Sequence, residues 1–121
     1  MLNGNVSVLV VEDEPLIRMA LVDELMSEGF VVEEADSADR AIFLLERNPQ
    51  IRLVVTDIEM PGTMDGLKLA AFVRDRWPPI KIIIASGRIT PGPVDLPSGC
   101  DFISKPFGFQ QIAETVRAAL S

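Results

Sequence analysis

Glu12 and Asp13, Asp57, Ser86 and Lys105 are scattered along a chain of 121 residues, yet each stands at or just beyond the end of an apolar run. In an open parallel α/β sheet, functional groups gather outside the carboxyl ends of the strands, so such runs would bring acids, a hydroxyl and an ammonium to one place. A hard divalent cation such as Mg²⁺ takes oxygen ligands and uses only one or two protein carboxylates, leaving waters and phosphate oxygens to complete its shell. Asp13 and Asp57 suit that role, with Glu12 acting directly or through a bound water. An Asp carboxylate is also a nucleophile toward phosphorus, forming an acyl phosphate, and Asp57 is the candidate. Lys105 would neutralise charge on phosphate oxygens, and Ser86 would donate a hydrogen bond to one of them. Taken singly, each residue has an ordinary explanation. Glu12, Asp13 and Glu14 suit a helix N-terminus, Asp57 and Ser86-Gly87 suit turns, and Lys105 suits a surface. Their shared position at strand ends points to a site for a divalent cation and a phosphoryl group.

The elements that must position them follow from the hydrophobic pattern. Val6 to Val11 is rich in β-branched residues and predicts a strand buried on both faces. Pro15 fits the first turn of a helix reaching about Ser27, which Gly29 stops. Phe30 to Ala35 predicts a second strand, and Ala38, Ala41, Ile42 and Leu45 recur at helical spacing after a cap at Asp36 or Ser37. Leu53 to Thr56 predicts a third strand closing on Asp57. The Met60-Pro61-Gly62-Thr63 segment reads as a loop, and a helix through Leu67, Ala70, Ala71 and Val73 ends at Trp77-Pro78-Pro79. Ile82 to Ala85 predicts a fourth strand ending at Ser86, Asp101 to Ser104 a short fifth, and Phe109 to Leu120 a last amphipathic helix. This alternation predicts an α/β fold with a parallel sheet covered on both sides. Arg88 to Gly99 is the exception. Pro91, Pro93 and Pro97 stand where a helix is due, and three prolines in seven residues argue against more than a turn.

Composition narrows the function. The chain fits one domain, 1–121, and its 48% hydrophobic residues are ample for one core. Eleven Lys and Arg against 18 Asp and Glu give a net charge of −7, which disfavours direct binding to nucleic acid or an anionic membrane. The single Cys100 cannot form an intrachain disulfide, and Met1 leads into polar Asn3, Gly4 and Asn5, so a cytoplasmic location is expected. No apolar run approaches the roughly 20 residues that span a bilayer. With no histidine, a histidine base, a histidine metal ligand and a Ser-His-Asp triad are excluded, and the chain cannot itself carry a phosphohistidine.

Glu12-Asp13, Asp57, Met60-Pro61 with Asp65-Gly66, Ser86 and Lys105-Pro106, in this order and spacing, resemble the receiver domain of two-component response regulators across nearly the whole chain. The resemblance implies a flavodoxin-like, doubly wound five-stranded parallel sheet of order 2-1-3-4-5, an order the family itself exemplifies. It implies that Asp57 accepts a phosphoryl group from a histidine kinase or histidine phosphotransfer protein. Mg²⁺ would be bound by Asp13, Asp57 and the backbone carbonyl of Glu59, with Glu12 holding a metal-bound water. Ser86 and Lys105 would contact the phosphoryl group, with Ser86 moving toward it. Phe102 would be the aromatic switch that turns inward with that hydroxyl, although a core residue on a short strand suits it equally. The Lys105-Pro106 peptide resembles the family's cis bond. The chain would then be a phosphoacceptor, assisting its own phosphorylation and dephosphorylation rather than turning over a substrate. It would act on a downstream protein target as a monomer or weak dimer.

The sequence departs from the family in three places. The loop after Asp57 is longer than the common pattern, Glu59 adds a carboxylate beside the site, and the proline-rich stretch replaces the helix between the fourth and fifth strands. Two rival classes remain. A haloacid-dehalogenase-type phosphohydrolase would use Asp57, Ser86 and Lys105 but leaves Glu12-Asp13 without a role, and only Glu114 follows the lysine as a metal acid. A nonphosphorylated interaction module would keep the acids only as structure. No Gly-rich loop follows the first strand, which argues against a flavin or dinucleotide protein.

Overall fold

The computed structural model describes residues 6–59, 64–86, 99–104 and 108–121, and for Ser86, Ser104 and Phe109 the backbone alone. The loop expected at 60–63, the proline-rich segment 87–98 and the Lys105-Pro106 peptide lie outside the described residues.

Nine elements follow in order: β1 (Ser7–Val11), α1 (Pro15–Ser27), β2 (Val31–Ala35), α2 (Ala38–Arg47), β3 (Ile51–Asp57), α3 (Gly66–Arg76), β4 (Lys81–Ser86), β5 (Cys100–Ser104) and α4 (Phe109–Leu120). The strands form one parallel sheet of order β2-β1-β3-β4-β5, as expected. Every residue of β1 is buried, in keeping with its unbroken apolar run.

Local chemistry sets the boundaries. Pro15 opens α1, and the chain leaves it through Gly29 at φ 97°, while the Phe30 N–H donates to the Leu25 carbonyl. Ser37, not Asp36, caps α2, its hydroxyl accepting from the Arg40 N–H. Asp65 caps α3 in the same way through the Lys68 N–H. β3 starts at Ile51, two residues before the expected Leu53, because Ile51 already pairs with Ser7 across a register shift in β1.

Alternating strand residues feed two cores. Leu9, Val11, Val54, Ile82 and Ile84 meet Ala41 and Leu45 of α2 and Leu69 and Val73 of α3 on one face. Val8, Val10, Val55 and Ile83 meet Leu21 and Leu25 of α1 and Ile112 and Val116 of α4 on the other. Fully burying an aliphatic side chain of this kind contributes about 1.5–3 kcal/mol, so both faces anchor the sheet and with it the strand ends. No helix among the described residues is long and apolar enough to cross a membrane.

Candidate functional site

Register decides which strand ends meet. Val11 lies level with Thr56, so Glu12 and Asp57 emerge side by side from adjacent strands. Asp57 is level with Ala85, and Ser86 with Ser104, so the backbone brings the ends of β4 and β5 to the same rim. Glu12 is 3% exposed and Asp57 9%, whereas Asp13 is exposed. A carboxylate oxygen from each of the three lies within 4.8 Å of the others.

Each acid is held by its local backbone. The Glu12 N–H donates to the Ala35 carbonyl at 3.0 Å, and its own carbonyl accepts from Arg18 Nη1 at 2.8 Å. Arg18 Nε also reaches Glu34 at 3.0 Å, so one guanidinium ties the β1–α1 turn to β2. The Glu12 carboxylate accepts from the Glu14 N–H at 3.1 Å. That bond fixes the N-cap residue of α1, Glu14, whose own side chain makes no cap bond. The acids therefore precede the helix and point toward the site instead of serving only its dipole.

Asp57 ends β3, and its Oδ1 accepts from the Glu59 N–H at 3.4 Å. Its carbonyl accepts from the buried Thr56 hydroxyl at 2.9 Å. The Ile58 N–H reaches Ala85, and the Gly66 N–H reaches Ile58 at 2.8 Å, folding the start of α3 back over the strand end. That closure needs glycine, because a Cβ on Gly66 would lie 1.9 Å from the Asp57 carbonyl oxygen.

Two nearly buried carboxylates with a third beside them concentrate negative charge in a region of reduced dielectric, which costs free energy unless cations answer it. Hard oxygen donors at this spacing suit Mg²⁺. Of the residues singled out from sequence, Glu12, Asp13 and Asp57 are brought together, and Glu59 adjoins them half-buried. Ser86 ends β4 at the same rim by its backbone, its side chain outside the description, and Lys105, next in sequence after β5, lies outside the described residues. Phe102 is partly buried on β5, packed toward the α2–α3 core. Arg18, Thr56 and the close approach at Gly66 were not foreseen from sequence. Only the folded chain gives Arg18 its partners, the Thr56 hydroxyl bonds the adjacent Asp57 carbonyl with no sequence pattern to mark it, and the Asp65-Gly66 dipeptide carried the one signal for the third.

Comparison with known proteins gives this geometry its context. The sequence profile of the response regulator receiver domain matches residues 8–117. The chain belongs to that family. This receiver is 38% identical over 125 residues to the sensor kinase CckA of Brucella abortus, covering 98% of the chain and 13% of the kinase. The crystal structure of the receiver domain of the hybrid histidine kinase CckA superposes with a TM-score of 0.82 at 29% identity, covering 95% of this chain and 99% of that one. A receiver protein of Sinorhizobium medicae gives 0.84 at 27% identity, covering 95% and 94%. The receiver spans less than half the length of the curated relatives it matches. It is a two-component receiver domain of a family in which phosphorylation and Mg²⁺ binding at an acidic pocket are typical.

Proposed function

We propose that Asp57 accepts a phosphoryl group from the phosphohistidine of a histidine kinase or histidine phosphotransfer protein, and that phosphorylation changes the domain's affinity for a downstream protein target. The observation that carries this reading is the convergence of the Glu12, Asp13 and Asp57 carboxylates within 4.8 Å beside the β1–β3 pair. An Asp57 carboxylate oxygen attacks phosphorus, the P–N bond breaks, and the imidazole nitrogen leaves with its electron pair. These 121 residues contain no histidine, so the phosphohistidine lies outside them.

Glu12, Asp13 and Asp57, with the Glu59 carbonyl, would hold Mg²⁺, and their oxygen chemistry fits it. When bound, the cation offsets charge on the carboxylate and phosphoryl oxygens. The Glu59 N–H and the Thr56 hydroxyl fix the Asp57 side chain and backbone, so the nucleophile is oriented before a donor arrives. By family resemblance, Lys105 and Ser86 contact the phosphoryl oxygens and Phe102 follows Ser86 as the switch. With net charge −7, these 121 residues themselves favour protein binding or phosphoryl relay over direct contact with nucleic acid or an anionic membrane. A single half-exposed cysteine, Cys100, supports a reducing cytoplasmic setting.

The test is labelling with acetyl phosphate and Mg²⁺. Intact-mass analysis is expected to show one added phosphoryl group in wild type and none in Asp57→Asn. Equal labelling of Asp57→Asn removes Asp57 from the role.

A further inference from the structure

The acids Glu12 to Glu14, Asp36, Asp57, Glu59 and Asp65 all stand at or beyond the carboxyl ends of strands. At the amino-terminal end of the sheet, the part around β3 and β4 is the reverse. There the last turns of α2 and α3 and the starts of β3 and β4 carry five cations, Arg47, Arg52, Arg74, Arg76 and Lys81, against the two acids Glu46 and Asp75. In a chain of net charge −7 this is a local inversion of sign. The helix dipole favours cations in a last turn and so accounts for Arg47, Arg74 and Arg76. It does not account for exposed Arg52 and Lys81 at strand starts, nor for the groove among them.

That groove, of about 390 Å³, runs between the C-terminal ends of α2 and α3. Pro49, Ile51, Trp77, Pro78, Pro79 and Ile80 form its apolar walls, and its charged lining is Arg52, Arg76 and one acid, Glu46, so the rim is net positive. Arg76 is not spent on its neighbour alone. It is half-exposed while paired with Glu46 at 3.2 Å, and its guanidinium also lies 5.2 Å from the Trp77 ring centroid. Trp77 is braced by a tilted contact with Phe72 at 6.1 Å and by its N–H on the Val73 carbonyl. On the outer side of α2, Phe43 is 40% exposed with the Arg47 guanidinium 3.7 Å from its ring, extending the cationic aromatic surface away from the groove.

We propose that this groove docks an extended acidic segment of a partner protein, one apolar or proline residue seated against Trp77 and Pro78-Pro79 and flanking carboxylates paired with Arg52 and Arg76. Charge complementarity selects the occupant: a positive rim around an apolar slot on an acidic protein attracts acidic chains and repels basic ones. The proline, strand and helix-end walls are ordered before binding, which lowers its entropic cost. Because the groove lies at the end of the sheet opposite Asp57, the segment tethers a partner without covering the phosphoacceptor and binds independently of phosphorylation.

The chain contains one tryptophan and no tyrosine, so intrinsic fluorescence reports on Trp77. The probe is acetyl-Glu-Asp-Leu-Pro-Glu-Asp-amide. Saturable change in Trp77 emission is expected at peptide concentrations below about 1 mM. The affinity should fall about tenfold or more when salt is raised to 0.5 M, and comparably in Arg52→Glu. Arg52→Gln should show an intermediate loss. Acetyl-phosphate labelling of both variants should match wild type, which shows that they are folded. Controls replace the acids with lysine or the Leu-Pro core with Gly-Ser, and each should abolish saturation. Absence of a saturable response, an equal response to the lysine peptide or to the coreless acidic peptide, or unchanged affinity in Arg52→Glu overturns the proposal. So does self-association mapped to Trp77, which would assign the groove to a second copy, or tighter binding of an oligonucleotide than of the acidic peptide.

Discussion

At the scale of single residues, the site depends on one missing methyl group and one exposed charge. Gly66→Ala would place Cβ against backbone, which cannot rotate away as a side chain can, so α3 or the end of β3 must shift. The expected cost is about 3 kcal/mol in urea denaturation, with Asp57 labelling slowed even where the variant remains folded. An alanine variant as stable as wild type would show that the turn relaxes freely. Asp13 is the solvent-facing member of the acid cluster, so its repulsion with Glu12 and Asp57 is partly screened. Asp13→Asn is expected to weaken Mg²⁺ binding about tenfold by titration. The same variant should stabilise the metal-free fold slightly, by about 0.5 kcal/mol. An unchanged Mg²⁺ isotherm would take Asp13 out of the metal site. Glu12, Asp13 and Asp57 were legible in the sequence because acids following β-branched runs carry a positional meaning. Arg18 was not, because nothing in its spacing reveals that it bonds a carbonyl six residues earlier and a carboxylate on another strand.

At the scale of elements, strands and helices were legible to within a residue or two wherever proline, glycine or a capping hydroxyl punctuated an apolar run. The miss at β3 is instructive: Asn48, Pro49 and Gln50 mark the end of α2, but only pairing with β1 shows that Ile51 and Arg52 already belong to the strand. The seam between α3 and β5 was also invisible. Arg74 donates to the carbonyls of Pro78 and Gly99, and its guanidinium lies beside the Cys100 thiol. Burial nevertheless dominates, holding that thiol above its usual ionisation range despite the arginine, while Asp101 adds to the rise. A group whose folded pKa is raised stabilises the fold fully below the unfolded thiol value, and that contribution is lost as pH rises through the folded one. Wild-type stability should therefore decline on the alkaline side from about pH 8.5 upward, more steeply than that of Cys100→Val in parallel denaturation curves. Identical alkaline limbs would show that the thiol does not ionise differently in the two states. Arg18→Met removes the link across the β1–α1 turn and should cost about 1 kcal/mol, since one of its two bonds is to a half-exposed glutamate.

For the molecule as a whole, an acid cluster lies beyond the carboxyl ends of β1 and β3, and a cationic patch lies at the opposite ends of β3 and β4. The composition showed only the net value, because the sorting emerges once the strands are laid parallel. A cation that binds the acidic pole of the folded chain but not the unfolded one must raise stability by mass action. At a hundredfold excess over Kd this amounts to about 2.7 kcal/mol, or roughly 10 °C in Tm for a domain of this size. The rise should be seen with Mg²⁺, be nearly absent with Na⁺ at equal ionic strength, and largely vanish in Asp57→Ala. A similar rise in Asp57→Ala would place the dominant cation site elsewhere.

The central pairing of β1 with β3 also has a consequence for how the protein is made. A ribosome delivers Glu12 and Asp13 early, and they remain two acids on a nascent chain until β3 has been synthesised and has found its place beside β1. β2, although next in sequence, takes the outer edge and contributes no member of the acid cluster. The long-range pairing of β3 with β1 is thus the step that assembles the acid cluster. A truncated or stalled product ending before Asp57 would carry Glu12 and Asp13 but lack the proposed phosphoacceptor. The acid cluster and the central strand pair form in the same event.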